Sequence, residues 1–315
     1  MRFLIILLLI TGCTTDNVVK EIIETNNEKI KVIFCPEDNC EKKLNEELTS
    51  ANESIHCSFF DLDLKSVIDL LDSSKIDTKI VIDERNKEFE KDYIRYDNSK
   101  QYTHNKFCII DNKKILTGSF NPTLRGSFYN DNNYVIIPSK KLAINYETEF
   151  NELWNGVFGT GKKTSNSKII FNNIPIENYF CPEDNCGNEI YDELMNAEKE
   201  IYFMLFSFTH NKIANALVLQ HINGIEIKGV LEKSQNSKYN KYKLLKYQNI
   251  SVKWDNNKYN MHNKVFIIDN KTVITGSFNP SKNADTNNDE NILIIRNKAI
   301  AYKYLTKFNQ IYGIV

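Results

Sequence analysis

The chain has 315 residues, enough for two core-forming units of about 150 residues each. Hydrophobic residues make up 41% of the sequence and charged residues 26%, which is the balance of a soluble globular protein. Lysine plus arginine number 40 and aspartate plus glutamate 41, so the formal net charge is -1. This charge gives no support to a long, strongly basic groove for nucleic acid, although a local basic patch is compatible with it.

The N-terminus has the pattern of an export signal. Residues 3–10 are an unbroken apolar run, much too short to span a bilayer, which needs about 20 apolar residues. The tetrapeptide at 10–13 resembles a lipobox, the site where a lipoprotein signal is cleaved and its cysteine lipidated. We therefore predict a signal peptide over 1–12, lipidation of Cys13, a polar tether over 13–28, and an extracytoplasmic protein anchored to the cell membrane. The alternatives are an ordinary signal peptide with an incidental cysteine, and a secreted protein.

Strand-like and helix-like segments alternate along both halves, which indicates α/β architecture. In the first half the expected strands are 29–34, 54–60 and 78–83, and the expected helices are 41–51 and 64–71. In the second half the expected helices are 189–197 and 212–221, and the expected strands are 200–206 and 226–231. Each half ends in an expected helix, at 140–154 and at 298–312. The predicted domains are 29–158 and 169–315, joined by a linker at 159–168 within a stretch rich in Gly, Lys, Ser and Asn.

Six cysteines follow the signal segment, and four of them form two copies of the hexapeptide CPEDNC. Disulfides persist in the compartment that an export signal implies, so each hexapeptide is expected to close on itself. The predicted disulfides are Cys35–Cys40 and Cys181–Cys186. A four-cysteine zinc site is the alternative, although four intervening residues are long for a zinc knuckle. Cys57 and Cys108 lie in apolar, strand-like runs and are expected to be buried thiols.

The chain is an internal duplication. HNKFCIIDNKKILTGSFNP begins at His104, and HNKVFIIDNKTVITGSFNP begins 158 residues later at His262. Chance does not produce two segments that agree at most positions, so the chain holds two similar domains. Each segment is expected to form two paired strands, joined by tight turns at 112–113 and at 270–271.

Both copies carry the pattern His-x-Lys-x4-Asp-x6-Gly-Ser-x-Asn. Its residues are His104, Lys106, Asp111, Ser119 and Asn121 in the first copy, and His262, Lys264, Asp269, Ser277 and Asn279 in the second. The pattern resembles the HKD signature of the phospholipase D superfamily, in the small nuclease-like and phospholipase-like branch that here has two motifs in one chain. The resemblance implies two tandem α/β-sandwich domains packed around one shared active site. Since one chain supplies both motifs, we expect a monomer.

The motif suits hydrolysis of a phosphodiester, which is anionic and has a poor leaving group. Residues i and i+2 of a strand share a face, so His104 and Lys106 project together. The resemblance implies that one histidine attacks phosphorus to form a phosphohistidine, while the other protonates the leaving oxygen and then deprotonates water or an alcohol. The expected phosphate-binding residues are Lys106, Ser119, Asn121, Lys264, Ser277 and Asn279. Asp111 and Asp269 are expected to organise the site, and the scheme requires no metal or other cofactor.

The two halves differ at a position that resembles the family carboxylate that orients a catalytic histidine. Glu290 lies 28 residues after His262, whereas Asn132 occupies the equivalent position of the first half. We therefore expect Glu290 to act on His262 and to make His262 the nucleophile, with Asp131 as a possible substitute in the first half. The three histidines outside the motifs are expected to be structural or surface residues: His56, His210 and His221.

Three functions are compatible with these observations. The first is hydrolysis of phospholipids, or transfer of their headgroups, at a membrane surface. The second is a secreted endonuclease that cleaves nucleic-acid phosphodiesters with the same two histidines. The third, a binding module on an inactive scaffold, is disfavoured because both motifs are intact.

Overall fold

The computed structural model describes residues 22–313, so the predicted signal peptide, Cys13 and the first part of the predicted tether lie outside the described residues. The strands of the first half are β1 (Ile22–Glu24), β2 (Lys31–Cys35), β3 (Ser54–Phe59), β4 (Asp77–Ile82), β5 (Ile94–Tyr96), β6 (Phe107–Ile110), β7 (Lys114–Gly118) and β8 (Asn132–Ile137). Its helices are α1 (Cys40–Thr49), α2 (Lys65–Ser73), α3 (Leu124–Phe128) and α4 (Lys140–Trp154).

The second half repeats this order with one additional helix, α7 (Tyr242–Tyr247). Its strands are β9 (Lys168–Phe171), β10 (Ile174–Cys181), β11 (Glu200–Leu205), β12 (Glu226–Leu231), β13 (Ser251–Trp254), β14 (Lys264–Ile268), β15 (Thr272–Gly276) and β16 (Glu290–Arg296). Its helices are α5 (Cys186–Met195), α6 (Asn211–Ile222), α7 (Tyr242–Tyr247), α8 (Lys282–Thr286) and α9 (Lys298–Tyr312). No helix within residues 22–313 is long and apolar enough to cross a membrane.

Each half builds one mixed sheet with the same strand order. The first sheet runs β2-β8-β7-β6-β3-β4-β5, and the second runs β1-β9-β10-β16-β15-β14-β11-β12-β13. Seven strands of the second sheet therefore match the first one by one, which confirms the predicted tandem α/β fold. Strand β1 departs from the prediction of a tether that reaches residue 28, because it pairs in parallel with β9 at the edge of the second sheet.

The closing helices α4 and α9 lie between the two sheets. Tyr146 of α4 packs edge-on against Phe180 of the second sheet, and Tyr304 of α9 packs edge-on against Phe34 of the first. These contacts belong to one apolar core that is shared by both halves. The outer face of each sheet has its own core, covered by α1 and α2 in the first half and by α5, α6 and α7 in the second.

The cysteines form three disulfides. Each hexapeptide closes on itself as predicted, which gives Cys35–Cys40 and Cys181–Cys186. The prediction of buried thiols was wrong, because Cys57 and Cys108 form the third disulfide. They lie directly opposite each other on the antiparallel strands β3 and β6, with Cα atoms 4.1 Å apart.

Candidate active site

A cavity of about 450 Å³ lies where the two halves meet. His104 and His262 line it together with Asn121, Asn279 and Glu290. Each histidine lies two residues ahead of its motif lysine, beside the strand that carries the motif into the core. The cavity therefore brings the two motif histidines together, and His104 is only 8% exposed.

The backbone before each histidine is held by the opposite half. Thr103 forms an isolated parallel bridge with Asp289, and Met261 forms the equivalent bridge with Asp131. The His104 N–H donates to the Asp289 carbonyl at 2.9 Å, and the His262 N–H donates to the Asp131 carbonyl at 2.8 Å. The residue that follows Asp289 or Asp131 is therefore placed beside the histidine of the other half.

Glu290 orients His104, so the expectation that it acts on His262 was wrong. Glu290 Oε2 lies 2.7 Å from His104 Nδ1, and it also accepts a hydrogen bond from Ser277 Oγ at 2.7 Å. His262 Nδ1 lies 2.8 Å from Oδ1 of Asn132 instead. In both histidines Nδ1 is occupied, which leaves Nε2 as the nitrogen free to react. The spacing of 28 residues identified the carboxylate but pointed to the wrong histidine, because the contact crosses between the halves.

Ser119 and Ser277 are placed differently from the expected phosphate-binding role. Ser277 donates to Glu290, and Ser119 Oγ donates to Asn132 Oδ1 at 3.1 Å. Both serines are fully buried and neither lines the cavity. Their hydroxyls hold the side chains that orient the histidines. Beside Ser277, Gly276 permits the close approach of β15 to β16, because a Cβ atom there would overlap the Asn291 carbonyl.

The motif asparagines line the cavity, whereas the motif lysines lie beside the histidines and are not among the residues that line it. Lys106 Nζ donates to the His104 carbonyl at 2.6 Å, and Lys264 Nζ donates to the His262 carbonyl at 2.8 Å. Asn121 and Asn279 line the cavity, and the side-chain oxygen of each is buried without a partner among residues 22–313. These four side chains can therefore supply charge and amide groups to an anion in the cavity.

Burial and mutual repulsion lower the pKa values of the basic side chains at this site. The pKa of His104 is lowered well below its usual value by burial and by the nearby Lys106 and Lys264, and that of His262 is lowered in the same way. Burial lowers the pKa of Lys106 to about 7. Burial also raises the pKa of Glu290 to about 8, although Lys106 and Ser277 oppose the rise. Burial therefore favours the uncharged imidazole, in which a ring nitrogen can attack, whereas an anionic phosphodiester beside the histidines would favour protonation of one of them.

Asp111 and Asp269 lie outside the cavity and serve the fold rather than the chemistry. Asp111 and Asn112 both have positive φ, as do Asp269 and Asn270, because a two-residue hairpin turn needs this conformation at both positions. The turns therefore begin one residue earlier than predicted. The Asp269 carboxylate accepts the backbone N–H groups of 198–200, where β11 begins, and Asp111 accepts those of 52–54, where β3 begins.

Asp269→Asn is expected to destabilise the fold by about 1–3 kcal/mol, because backbone N–H groups lose a charged acceptor. Although burial raises the pKa of Asp269, the N–H groups of Glu198, Glu200 and Lys199 lower it overall. The contribution is thus present above the unfolded pKa of about 3.9 and is lost as the pH falls through the folded value. Urea denaturation of the wild type and the variant at pH 7 and pH 3 measures this loss. A large drop in kcat with unchanged stability would contradict the structural role.

A buried asparagine network escaped the sequence analysis. Asn291 Nδ2 donates to Asn105 Oδ1 at 2.8 Å, and Asn133 Nδ2 donates to Asn263 Oδ1 at 2.6 Å, so each bond joins the two halves. Thr117, Thr275, Tyr146 and Tyr304 complete the network. The sequence did contain a signal for this network, because an asparagine recurs between the histidine and the lysine of both motifs, as Asn105 and Asn263. The network fixes how the halves dock and hence how the histidines meet.

The other histidines lie away from the cavity, as predicted. His56 contacts Glu147 and Asp77, and His210 caps α6 and contacts Asp285. His221 lies in the last turn of α6. Within the described residues, no group of three or more His, Cys, Asp or Glu side chains is arranged to hold a metal ion.

Comparisons with known proteins agree with this architecture. The family described as "Cardiolipin synthase, PLD-like domain" matches residues 3–154 and 190–312. A "Phospholipase D" of Rickettsia typhi is 36% identical over 127 residues, which cover 40% of this chain and 62% of that protein. A "Mitochondrial cardiolipin hydrolase" of Xenopus tropicalis is 25% identical over 142 residues, which cover 44% of this chain and 68% of that protein. The matched segments thus span about two thirds of these relatives and less than half of this chain.

A solved structure extends the similarity in fold to both halves. The phosphatidylserine synthase of Haemophilus influenzae Rd KW20 superposes with a TM-score of 0.70 and covers 90% of this chain and 86% of its own. Its sequence identity is 12%, so the likeness concerns the fold alone. Together with the family match over both repeats, these observations show that the chain belongs to the phospholipase D superfamily, as a protein with two tandem PLD-like domains.

Proposed function

We propose that the protein is a phospholipase D-type phosphodiesterase that hydrolyses phospholipids through a phosphohistidine intermediate. The observation that carries this proposal is the pair of histidines in one cavity, each with Nδ1 occupied and Nε2 free. The relatives named phospholipase D and cardiolipin hydrolase support the same reaction class. Three disulfides, together with the signal-like N-terminus, support an extracytoplasmic location.

His104 is the nucleophile in this proposal. Its Nε2 attacks phosphorus, the bond from phosphorus to the leaving oxygen breaks, and the leaving oxygen takes a proton from Nε2 of protonated His262. Neutral His262 then removes a proton from water, whose oxygen attacks phosphorus and breaks the P–N bond. The products are an alcohol and a phosphomonoester, and both histidines return to their starting state.

The unequal partners of the histidines explain the assignment. An imidazole phosphorylated on Nε2 and protonated on Nδ1 is positively charged. This adjacent charge favours the ionised form of Glu290, and the resulting carboxylate stabilises that charge. Asn132 accepts a hydrogen bond from His262 but adds no charge. His262 is therefore the weaker base of the two, which suits the residue that must give up a proton to the leaving group.

The activity is expected to fall as the pH rises above about 7, since burial places the pKa of Lys106 near that value in the free enzyme. The cationic lysine attracts the phosphodiester, so substrate binding is full below this pKa and is lost above it. The dependence of kcat/KM on pH, measured with a soluble diester, shows this decline in activity. Lys106→Arg keeps its charge at high pH and is the matched control, in which the decline in kcat/KM is expected at a higher pH. A wild-type profile that stays flat to pH 9 would contradict the role of Lys106.

A substrate panel tests the proposed function. The purified protein is incubated with phosphatidylcholine and phosphatidylethanolamine vesicles, with bis-p-nitrophenyl phosphate, and with single-stranded DNA and RNA, each with and without EDTA. We expect phosphatidic acid and free headgroup from the lipids, with rates that EDTA leaves unchanged. Cleavage of the nucleic acids alone would make the protein an endonuclease, and a loss with EDTA that zinc or calcium restores would make it a metal enzyme.

A further inference from the structure

The segments that follow β4 and β12 differ in charge between the two halves. The segment that follows β12 carries five lysines without a carboxylate within 4 Å among residues 22–313. They are Lys233, Lys238, Lys241, Lys243 and Lys246. In the corresponding segment after β4, every cation is paired: Arg85 with Asp83, Lys87 with Glu90, and Lys91 with Asp72. The segment of the second half therefore presents positive charge that no carboxylate of the described residues neutralises, whereas carboxylates neutralise the positive charge of the segment in the first half.

This basic segment borders the candidate active site. Gln235 lines the cavity, and the backbone N–H of Lys233 donates to Asp255 at 3.1 Å. Asp255 also accepts the N–H of Asn257, which places segment 257–260 beside the basic segment. Lys258 in that segment is exposed and likewise lacks a carboxylate within 4 Å among the residues described. The positive charge thus continues along one side of the mouth.

Helix α3 extends the same side with apolar side chains. Tyr129, which follows α3, packs against Tyr259 with ring centroids 4.6 Å apart and the ring planes tilted by 35°, so α3 adjoins segment 257–260. Leu124 is 55% exposed and Phe128 is 42% exposed. The equivalent residues of the second half, in α8, are Lys282 and Thr286. A polar sequence is therefore compatible with this helix, and the fold itself does not require the exposed apolar residues of α3.

We propose that these three elements form a membrane-contact surface that docks the mouth of the cavity onto an anionic phospholipid bilayer. The surface, called the rim surface below, consists of α3 with Tyr129, segment 257–260 and segment 233–247. Lysines are attracted to the negative surface of such a bilayer, while exposed Leu, Phe and Tyr side chains enter the boundary between headgroups and acyl chains. The proposal rests on the proposed function and deepens it, since it assigns a bilayer rather than a dissolved diester as the substrate phase.

Charge alone would also suit single-stranded nucleic acid, which binds basic surfaces that carry aromatic rings. The composition of α3 favours the bilayer. Leu124 has no π-face on which a base could stack, yet it is more exposed than Phe128. Aliphatic exposure next to free lysines is the pattern of an interfacial membrane contact.

Vesicle flotation tests the rim surface directly. The wild type is expected to float with vesicles of phosphatidylcholine and phosphatidylglycerol and to bind pure phosphatidylcholine much more weakly. A variant with Lys233→Gln, Lys238→Gln and Lys258→Gln is expected to bind the anionic vesicles about a hundredfold more weakly, from about fivefold per lysine. A second variant, Leu124→Ser with Phe128→Thr, is expected to lose binding while keeping its lysines.

The matched control removes three exposed lysines away from the mouth: Lys199→Gln, Lys298→Gln and Lys303→Gln. It has the same net charge as the rim-surface lysine variant and is expected to bind as the wild type does. Thermal unfolding midpoints of all variants show that the fold is retained. Equal losses in the control and the lysine variant would overturn the proposal, because net charge would then suffice.

Two further results separate the possible failures. If the wild type ignores anionic vesicles but binds a single-stranded oligonucleotide, and the lysine variant loses that binding, the rim surface is a nucleic-acid surface and the proposal is overturned. If the wild type binds anionic vesicles through the rim surface yet hydrolyses neither their lipid nor bis-p-nitrophenyl phosphate, the membrane contact stands and the proposed phosphodiesterase function fails.

Discussion

His104→Asn is expected to abolish both turnover and the covalent intermediate, whereas His262→Asn is expected to abolish turnover but retain the intermediate. With a p-nitrophenyl diester the leaving group needs no proton, so His104 can still be phosphorylated when His262 is absent. Water then lacks its general base, and the phosphohistidine persists. Steady-state rates are expected to fall by at least about a thousandfold in both variants, as the loss of a nucleophile or a general base usually costs.

The measurement is a burst of nitrophenol followed by rapid alkaline denaturation and peptide mapping, since phosphohistidine survives base better than acid. In His262→Asn the phosphoryl group, which still carries one nitrophenyl ester, is expected on the peptide that contains His104. His221→Asn, which changes a histidine in the last turn of α6, is the matched control and should behave as the wild type. If the His104→Asn variant instead carried the phosphoryl group on the peptide that contains His262, His262 would be the nucleophile and His104 the general acid and base. A single variant that keeps more than about a tenth of the wild-type rate would refute the two-histidine mechanism.

Glu290→Gln is expected to lower kcat by about a hundredfold, whereas Asn132→Ala is expected to lower it less than about tenfold. Glutamine has nearly the shape of glutamate but cannot stabilise a charged His104, whereas Asn132 contributes only a neutral hydrogen bond to His262. Single-turnover kinetics on the soluble diester should place the Glu290→Gln defect in formation of the phosphohistidine.

Two comparisons sharpen this result. Glu290→Gln also loses the acceptor of Ser277, so Ser277→Ala is the control for that hydrogen bond and should have the smaller effect. If Glu290→Gln slowed only breakdown of the intermediate, His262 would be the residue that depends on the carboxylate, against the contact found here. Equal and small effects of Glu290→Gln and Asn132→Ala would show that the histidines are oriented by the backbone bonds to Asp131 and Asp289 instead.

Features that depend on neighbours in the chain were predictable from the sequence. Helical periodicity located α4 and α9 at their observed bounds. The shared strand face of His104 and Lys106 was not confirmed, because β6 begins at Phe107, after both residues. The disulfides within each hexapeptide followed because their cysteines are five residues apart. The duplication supplied the two-domain fold, since two copies of one sequence adopt one topology.

Features that depend on the docking of distant segments were decided only by the tertiary structure. Cys57 and Cys108 become partners through the register of β3 and β6, which neither strand specifies alone. Glu290 reaches His104 because the backbone of Asp289 pairs with that of Thr103 across the boundary between the halves. Sequence spacing measures distance along one chain segment, whereas these contacts arise from the surfaces that two folded halves bury against each other. The sequence therefore determined which side chains the site contains, and the packing of the halves determined which of them touch.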